Sequence, residues 1–177
     1  MNFKNDESRL LFLKYALPCA DTLVERGVVS RKLIKESIKN ISINKKISGH
    51  PEKIFKTANS MCGKIARRAG KKSINKNDIR KYFLFEHDKV VESRYKSFKD
   101  FDPMQCRVFS GRVTKIKNKR ALVQTIIGSK KYKTSFIPNL KIGDYVVVHR
   151  KFAVEKINEG LFKKLWKLKE NYFKSNK

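Results

Sequence analysis

The sequence predicts an α+β fold in which an N-terminal α-helical domain is followed by a small five-stranded antiparallel β-barrel (OB-like) and a C-terminal α-helix. Apolar residues recur at helical spacing through the first hundred positions. Residues 106–157 are then rich in Val, Ile, Tyr and Phe, and turn residues recur there roughly every 8 to 12 positions. We therefore expect a basic α-helical domain over residues 1–100 and a barrel with its helix over residues 105–177, joined near residues 98–105.

Five helical segments are predicted in the first domain. Pro18 stops the first of them, Gly27 ends the second as a left-handed residue, and Ser30 is an N-cap for the third. We place the segments near residues 6–16, 21–26 and 31–40, then from Pro51 to Gly70, and last from a cap at Asn75 or Asn77 to Val91.

Five strands and one helix are predicted in the second domain. The strands are placed near residues 107–117, 121–127, 132–137, 144–149 and 152–157, with a turn at Gly128-Ser129 before the third. Asn158 is expected to cap the final helix. Its apolar stripe is predicted to comprise Leu161, Leu165, Leu168 and Tyr172, widened by Phe162, Trp166 and Phe173.

The charge of the chain suggests a nucleic-acid partner, but its distribution weakens that inference. The 43 Lys and Arg against 16 Asp and Glu give a formal charge of +27, spread evenly and supplied mostly by Lys. Residues 65–79 superficially resemble the second-loop region of a histone fold, although an ordinary helix–loop–helix with solvated lysines is favoured. The alternative function is therefore nucleic-acid binding, in which an OB-like barrel and the basic helical loop both contact the nucleic acid. Residues 112–120 of the barrel would face phosphate. The loop would bind through Lys64, Arg67, Arg68, Lys71, Lys72 and Lys76.

Several other classes of protein are disfavoured by the sequence. No apolar run approaches the ~20 residues of a membrane span, and acids at Asp6 and Glu7 argue against a signal peptide. Three widely separated cysteines favour a reducing, cytoplasmic location over a disulfide scaffold. Glycine-rich phosphate loops, nucleophile elbows and zinc-protease motifs are absent, so the chain is not expected to be an enzyme.

Cys106 and His149 are the candidate functional residues of the second domain. Cys106 opens the first predicted strand and His149 ends the fourth, so closure of an antiparallel barrel between these strands would bring them together. A thiolate and an imidazole suit iron, zinc or copper, and they equally suit a nucleophilic Cys–His pair. The alternative is a small buried cysteine and a hydrogen-bonded histidine at a strand end.

The remaining cysteines and histidines are given mostly structural roles. Cys62 lies on the apolar face of its predicted helix and is expected in the core. Cys19 follows Pro18 in a turn, where a metal-binding or resolving role is the minority interpretation. His50 and His87 lack a partner at ligand spacing and are predicted to be surface residues.

Two segments of the second domain resemble the HypC/HupF hydrogenase maturation chaperones. Residues 106–113, Cys-Arg-Val-Phe-Ser-Gly-Arg-Val, are similar to the family's opening motif. Residues 143–157 contain Gly-Asp-Tyr-Val, then His and Phe-Ala, as in its second motif. In that family the cysteine stands at the N-terminus, whereas Cys106 follows a helical domain and Ser110 replaces the family's proline.

The resemblance implies both a fold and a function. It implies a five-stranded barrel with a C-terminal helix, and a chaperone that transiently carries iron bearing cyanide and carbon monoxide. Cys106 matches the family's essential cysteine and His149 its motif histidine. The implied partners are a HypD-like maturation protein and the precursor of a nickel–iron hydrogenase large subunit.

Overall fold

The computed structural model describes residues 1–43, 45, 47–95 and 102–175. They form two compact units, Met1–Arg107 and Val108–Lys177. The boundary predicted near residues 98–105 falls partly on residues 96–101, which lie outside the described ranges. Cys106 and Arg107 are the last residues of the first unit.

The first unit is helical, as predicted. Short 3₁₀ turns at Leu17–Cys19, Pro51–Ile54 and Pro103–Cys106 interrupt or flank its helices, and Tyr82–Glu86 is a π-helical turn. The α-helices are α1 (Asp6–Ala16), α2 (Ala20–Glu25), α3 (Arg31–Ser42), α4 (Lys56–Arg68), α5 (Lys76–Lys81) and α6 (His87–Tyr95).

Side-chain caps fix the beginnings of these helices. The Ser30 hydroxyl accepts a hydrogen bond from the Leu33 backbone N–H, so the predicted cap of α3 is confirmed. Asn75, rather than Asn77, caps α5, and the Asp78 side chain completes a capping box. Pro51 opens only a 3₁₀ turn, and α4 begins at Lys56.

Aromatic side chains of α1 and the π-helical turn form the core of the first unit. Tyr15 stacks on Phe83 with ring centroids 4.9 Å apart, and Phe12 meets the same ring edge-on at 6.0 Å. Phe12 and Tyr15 are fully buried. Within the described part of the chain, no helix has both the length and the apolar character needed to cross a membrane.

A buried ion pair joins α1 to the turn before α4. Arg9 Nε donates to Glu52 Oε2 over 2.8 Å, and Glu52 is nearly buried. Burial by itself raises the pKa of this carboxyl group, but the hydrogen bonds from its own backbone N–H, from Arg9 and from His50 outweigh burial and lower the pKa. The ionised form of Glu52 therefore stabilises the folded unit.

We expect Glu52→Gln to lower the free energy of unfolding at pH 7 by about 2 kcal/mol, because it removes a buried charge-assisted pair. Because the pKa of Glu52 is lower in the folded protein than in the unfolded chain, its carboxylate stabilises the fold at pH values above the unfolded pKa of about 4.3. This stabilisation is lost as the pH falls through the folded pKa. Urea denaturation from pH 3 to 7, at roughly unit intervals, should show the difference between variant and wild type shrinking in acid.

The matched control for this experiment is Glu7→Gln. Glu7 pairs with Lys76 at the surface, where its side chain is 72% exposed, so the variant is expected to unfold at nearly the same urea concentration as the wild type. A Glu52→Gln deficit that stayed constant into strong acid would contradict the electrostatic explanation.

The second unit is a closed five-stranded barrel followed by a helix, which confirms the predicted fold class. The barrel order is β1-β2-β3-β5-β4, so β1 closes the barrel against β4. Its elements are β1 (Val108–Lys117), β2 (Arg120–Thr125), β3 (Gly128–Lys133), β4 (Tyr145–His149), β5 (Phe152–Ile157) and α7 (Glu159–Ser175).

Two details of the barrel correct the sequence prediction. The strands are not purely antiparallel, because β3 meets β5 in a short parallel pairing of Lys133 with Phe152. The third strand lies at Gly128–Lys133 rather than near 132–137, since the chain turns at residues 126–127 and Gly128, with φ of 100°, already begins β3. Gly128 follows the turn rather than forming it, and glycine adopts this positive φ without strain.

Helix α7 packs on the barrel through a face slightly different from the predicted one. Asn158 caps it by accepting a hydrogen bond from the Leu161 N–H, as predicted. Phe162 stacks on Tyr145 at 4.5 Å and Phe173 on Phe109 at 6.5 Å, with Leu165 buried between them in sequence. Leu168 is 42% exposed, so its predicted place in the buried stripe was wrong.

Candidate functional site

Two thiols and an imidazole converge in the helical unit. The sulfur atoms of Cys19 and Cys106 are 2.9 Å apart, in direct contact, and either thiol could be the hydrogen-bond donor. The His87 ring is hydrogen-bonded to Cys106, and the ligand atoms of the three residues lie within 4.8 Å of one another. We call these three residues the thiol–imidazole cluster.

Three local irregularities of the chain position the cluster. Cys19 ends the 3₁₀ turn Leu17–Cys19, which Pro18 forces between α1 and α2. His87 is the first residue of α6, directly after the π-helical turn Tyr82–Glu86. Cys106 ends the 3₁₀ turn Pro103–Cys106, whose start is capped by the Asp102 carboxylate.

Acidic and basic neighbours orient the imidazole. His87 is buried, which disfavours its charged form, yet its hydrogen bonds with Asp88 and Cys106 outweigh burial and raise its pKa. The distance from His87 Nδ1 to Asp88 Oδ1 is 3.3 Å. Arg107 ion-pairs with Glu92 and lies 3.8 Å from Asp88, which ties the residue after Cys106 to helix α6.

A cavity of about 320 Å³ borders the cluster. Cys19, His87 and Cys106 all contribute to its wall, and most of its remaining lining is apolar. The apolar residues of the wall include Leu23, Phe55, Phe83, Val90 and Val91. A small group attached to the cluster could therefore extend into apolar surroundings rather than into water.

The donor set is one that could hold a borderline or soft metal ion. Two thiolates and an imidazole suit iron and zinc, and a neighbouring carboxylate that accepts from the second ring nitrogen is the usual support for a metal-bound histidine. Cys106 and His87 are each 5% exposed, which limits access of water to these atoms. The same arrangement would also support an activated Cys–His nucleophile.

His149 lies in the barrel unit at the end of β4 and is buried. Val108, the first residue of β1, is its Cα partner in the antiparallel pairing of β1 with β4. The predicted closure of the barrel between the first and fourth strands is therefore confirmed. Cys106 lies two residues before Val108 in the chain.

The structure corrects one prediction about the remaining histidines and cysteines. His87 is buried in the cluster, so its prediction as a surface residue was wrong. The sequence does contain a signal for its burial, because Ile79, Phe83, His87 and Val91 follow one another at intervals of four residues. This spacing places His87 on the same helix face as three apolar residues. Cys62 is in the core and the His50 side chain is 65% exposed, both as predicted.

The basic residues of the alternative hypothesis are divided between ion pairs and open surface. Lys71 Nζ donates to Asp78 Oδ1 and Lys76 Nζ to Glu7 Oε2, each over 2.6 Å. The four remaining predicted residues are exposed on or just after helix α4: Lys64, Arg67, Arg68 and Lys72.

Comparisons with known proteins bear on the second half of the chain. No curated protein shows significant sequence similarity to the chain. The family match lies in residues 106–168, and residues 1–105 have no match to a family. This match supports a hydrogenase-maturation chaperone role, with which the thiol–imidazole cluster is compatible. The segment that begins at Cys106 and includes the barrel and most of α7 matches the HupF/HypC family, as its two motifs predicted.

Proposed function

We propose that this protein is a cytoplasmic carrier in the assembly of a hydrogenase metallocentre, and that it transiently holds an iron centre bearing cyanide and carbonyl ligands through Cys106 and His149. It acts as a chaperone and does not turn over a substrate. The observation that carries the proposal is that the family match begins at Cys106 itself, whose thiol also belongs to the thiol–imidazole cluster.

The surroundings of Cys106 support a role in holding iron. A thiolate is a strong ligand for iron, and an adjacent imidazole can ligate the metal or hydrogen-bond to its ligands. The apolar cavity beside the sulfur offers room for small diatomic groups away from bulk water. A hydrophobic shell of this kind controls solvent access to a metal centre.

Chain connectivity supports the assignment of His149. Two residues span at most about 7 Å from Cys106 to Val108. Paired Cα atoms in an antiparallel ladder are about 5 Å apart, and Val108 pairs with His149. The backbone at His149 is therefore tethered within about 12 Å of the backbone at Cys106.

The proposed partners are a HypD-like maturation protein, which would exchange the iron centre, and the precursor of a hydrogenase large subunit, which would receive it. A charge of +27 selects acidic partner surfaces. In this proposal the basic helical domain, residues 1–100, supplies recognition and the barrel domain, residues 105–177, supplies the family's carrier function.

The proposal is tested by purifying the tagged full-length protein anaerobically from its native host. We expect iron, infrared bands of cyanide and carbonyl ligands, and a co-purifying maturation protein identified by mass spectrometry. Folded protein that carries neither iron nor these bands, from cells that contain an active hydrogenase, would refute the proposal.

A second candidate function, nucleic-acid binding, is favoured by one observation. Lys117 and Arg120 are Cα partners across β1 and β2, and Arg120 is in turn paired with Lys133 of β3. All three residues are exposed, and no acidic residue occurs between positions 107 and 143. This basic strip could lie along a phosphate backbone.

If the strip binds nucleic acid, affinity for a single-stranded oligonucleotide should fall by tenfold or more (about 10³-fold for six contacts) between ~50 and ~200 mM salt. Arg120→Glu should weaken binding, whereas Lys167→Glu, which changes an exposed lysine of α7, should have less effect. Fluorescence anisotropy measures both. If both variants lost the same affinity, binding would depend on the net charge of the protein alone, and a specific role of the strip would be excluded.

A further inference from the structure

We propose that Cys19 and His87 join Cys106 as ligands of the carried metal, so that the helical unit itself contributes a two-thiolate, one-imidazole metal site. The identity of the metal as iron rests on the proposed function, but the ligand set does not. Cys19 and His87 lie outside the residues that match the HupF/HypC family, so the family match does not account for them.

The separations within the cluster suit a single ion. Bonds of about 2.3 Å to sulfur and 2.0–2.1 Å to nitrogen place the ligand atoms of a tetrahedral ion about 3.5–3.8 Å apart. The three ligand atoms lie within 4.8 Å of one another, and the two sulfurs are 2.9 Å apart. The two sulfurs would have to move about 0.8 Å further apart to reach tetrahedral spacing. Small rotations of the two side chains can supply this movement.

The contacts around His87 prepare it for metal binding. Asp88 lies at Nδ1, where a carboxylate holds the ring in the tautomer that leaves the other nitrogen to a metal. Arg107, by pairing with Glu92 and approaching Asp88, holds this carboxylate in place. Such support is the recurring arrangement around histidine ligands of metal sites.

Charge and burial also favour a bound cation. Deprotonation of two thiols beside an apolar cavity would place two negative charges in a poorly hydrated region, which is costly without a counterion. A divalent ion neutralises both charges.

The ligand set can be tested with Co²⁺ as the probe, added to the reduced, metal-free full-length protein under anaerobic conditions. We expect one Co²⁺ per chain, with absorption typical of tetrahedral coordination and charge-transfer intensity for two thiolates. Cys19→Ala should remove about half of the charge-transfer intensity and weaken binding by about a hundredfold. His87→Ala should retain the thiolate bands with a comparable loss of affinity.

Matched controls separate ligand loss from a general effect on the fold. Cys62→Ala removes a third, fully buried thiol outside the cluster, and His50→Ala removes an exposed imidazole, so both should bind Co²⁺ like the wild type. Circular dichroism on the metal-free variants tests folding. If His87→Ala unfolds, His87→Gln provides the same test while keeping a polar side chain.

Three results would overturn the ligand set. They are a folded wild type that does not bind Co²⁺, a Cys19→Ala variant with unchanged affinity and spectrum, and a Cys19–Cys106 disulfide that survives reduction. The function fails independently: if the protein binds Co²⁺ as expected but carries no iron in its host, the ligand set stands and the proposed function does not. If Cys19→Ala retains iron with its diatomic ligands, the proposed function stands and Cys19 is not a ligand of the carried metal.

Discussion

Cys106→Ala is expected to abolish iron carriage by this protein. The thiolate of Cys106 is common to the family motif and to the thiol–imidazole cluster, so its removal takes away the ligand on which both proposals depend. Loss of a supporting residue costs roughly 10- to 100-fold in metal affinity, and loss of a ligand should cost at least as much. We therefore expect iron in the anaerobically purified variant to fall to background, together with the cyanide and carbonyl bands.

Cys62→Ala is the control for this variant, because Cys62 is a buried cysteine in helix α4 and lies outside the cluster. Burial raises the pKa of its thiol far above the usual value, so it stays protonated and a poor ligand. We expect the control to keep its iron. Full iron content in folded Cys106→Ala, or equal loss in both variants, would contradict the assignment of Cys106.

Gly111→Ala is expected to destabilise the barrel strongly. A Cβ atom at this position would lie 2.5 Å from Val123 Cγ1 and 2.6 Å from the backbone oxygen of Gln124. The oxygen belongs to strand β2, which is paired with β1 on both sides of this point, so it cannot move aside without disrupting the sheet. We expect a loss of about 3 kcal/mol in the free energy of unfolding, at the upper end for overpacked interiors.

Gly160→Ala in helix α7 is the matched control, since its Cβ would meet no atom closer than 3.7 Å. Urea denaturation followed by the fluorescence of Trp166, the one tryptophan of the chain, reports on the barrel unit. We expect the control to be neutral or slightly stabilising, because alanine favours a helix over glycine. A loss below about 1 kcal/mol for Gly111→Ala would show that β1 and β2 separate more easily than the close contacts suggest.

Local chemistry made much of this fold predictable from sequence. Ser30 and Asn158 cap their helices because a side-chain oxygen satisfies a backbone N–H at a helix start whatever surrounds it. Gly27 adopts a positive φ of 68° after α2, as expected of glycine beyond a helix end. The other strands were recognisable from their β-branched and aromatic content, whereas β3, with one tyrosine and no β-branched residue, was misplaced.

Features that depend on distant contacts were harder to predict. The parallel pairing of Lys133 with Phe152 arises from barrel closure, which no local pattern records. Leu168 continues the sequence stripe of α7, yet the helix packs through Phe162, Leu165 and Phe173, while Lys169 lies over the Phe109 ring. A lysine with a long aliphatic chain can occupy a packed face that a binary pattern assigns to leucine.

The candidate site was only half predictable for the same reason. Cys106 was identified from its motif, but 87 residues separate it from Cys19, and only the folded helical unit shows the contact of their sulfurs. The burial of His87 could have been predicted from the sequence, because it is spaced four residues from both Phe83 and Val91. The sequence nevertheless predicts a surface position for His87, because no second ligand lies near it in the chain.

X-ray absorption at the iron edge of the anaerobically purified wild-type protein tests most directly whether Cys106 holds an iron centre. We predict stoichiometric iron with sulfur among its nearest neighbours and a shell of close carbon atoms from diatomic ligands, and Cys106→Ser should lack both. Iron surrounded only by oxygen and nitrogen, or a spectrum that Cys106→Ser leaves unchanged, would contradict this role of Cys106.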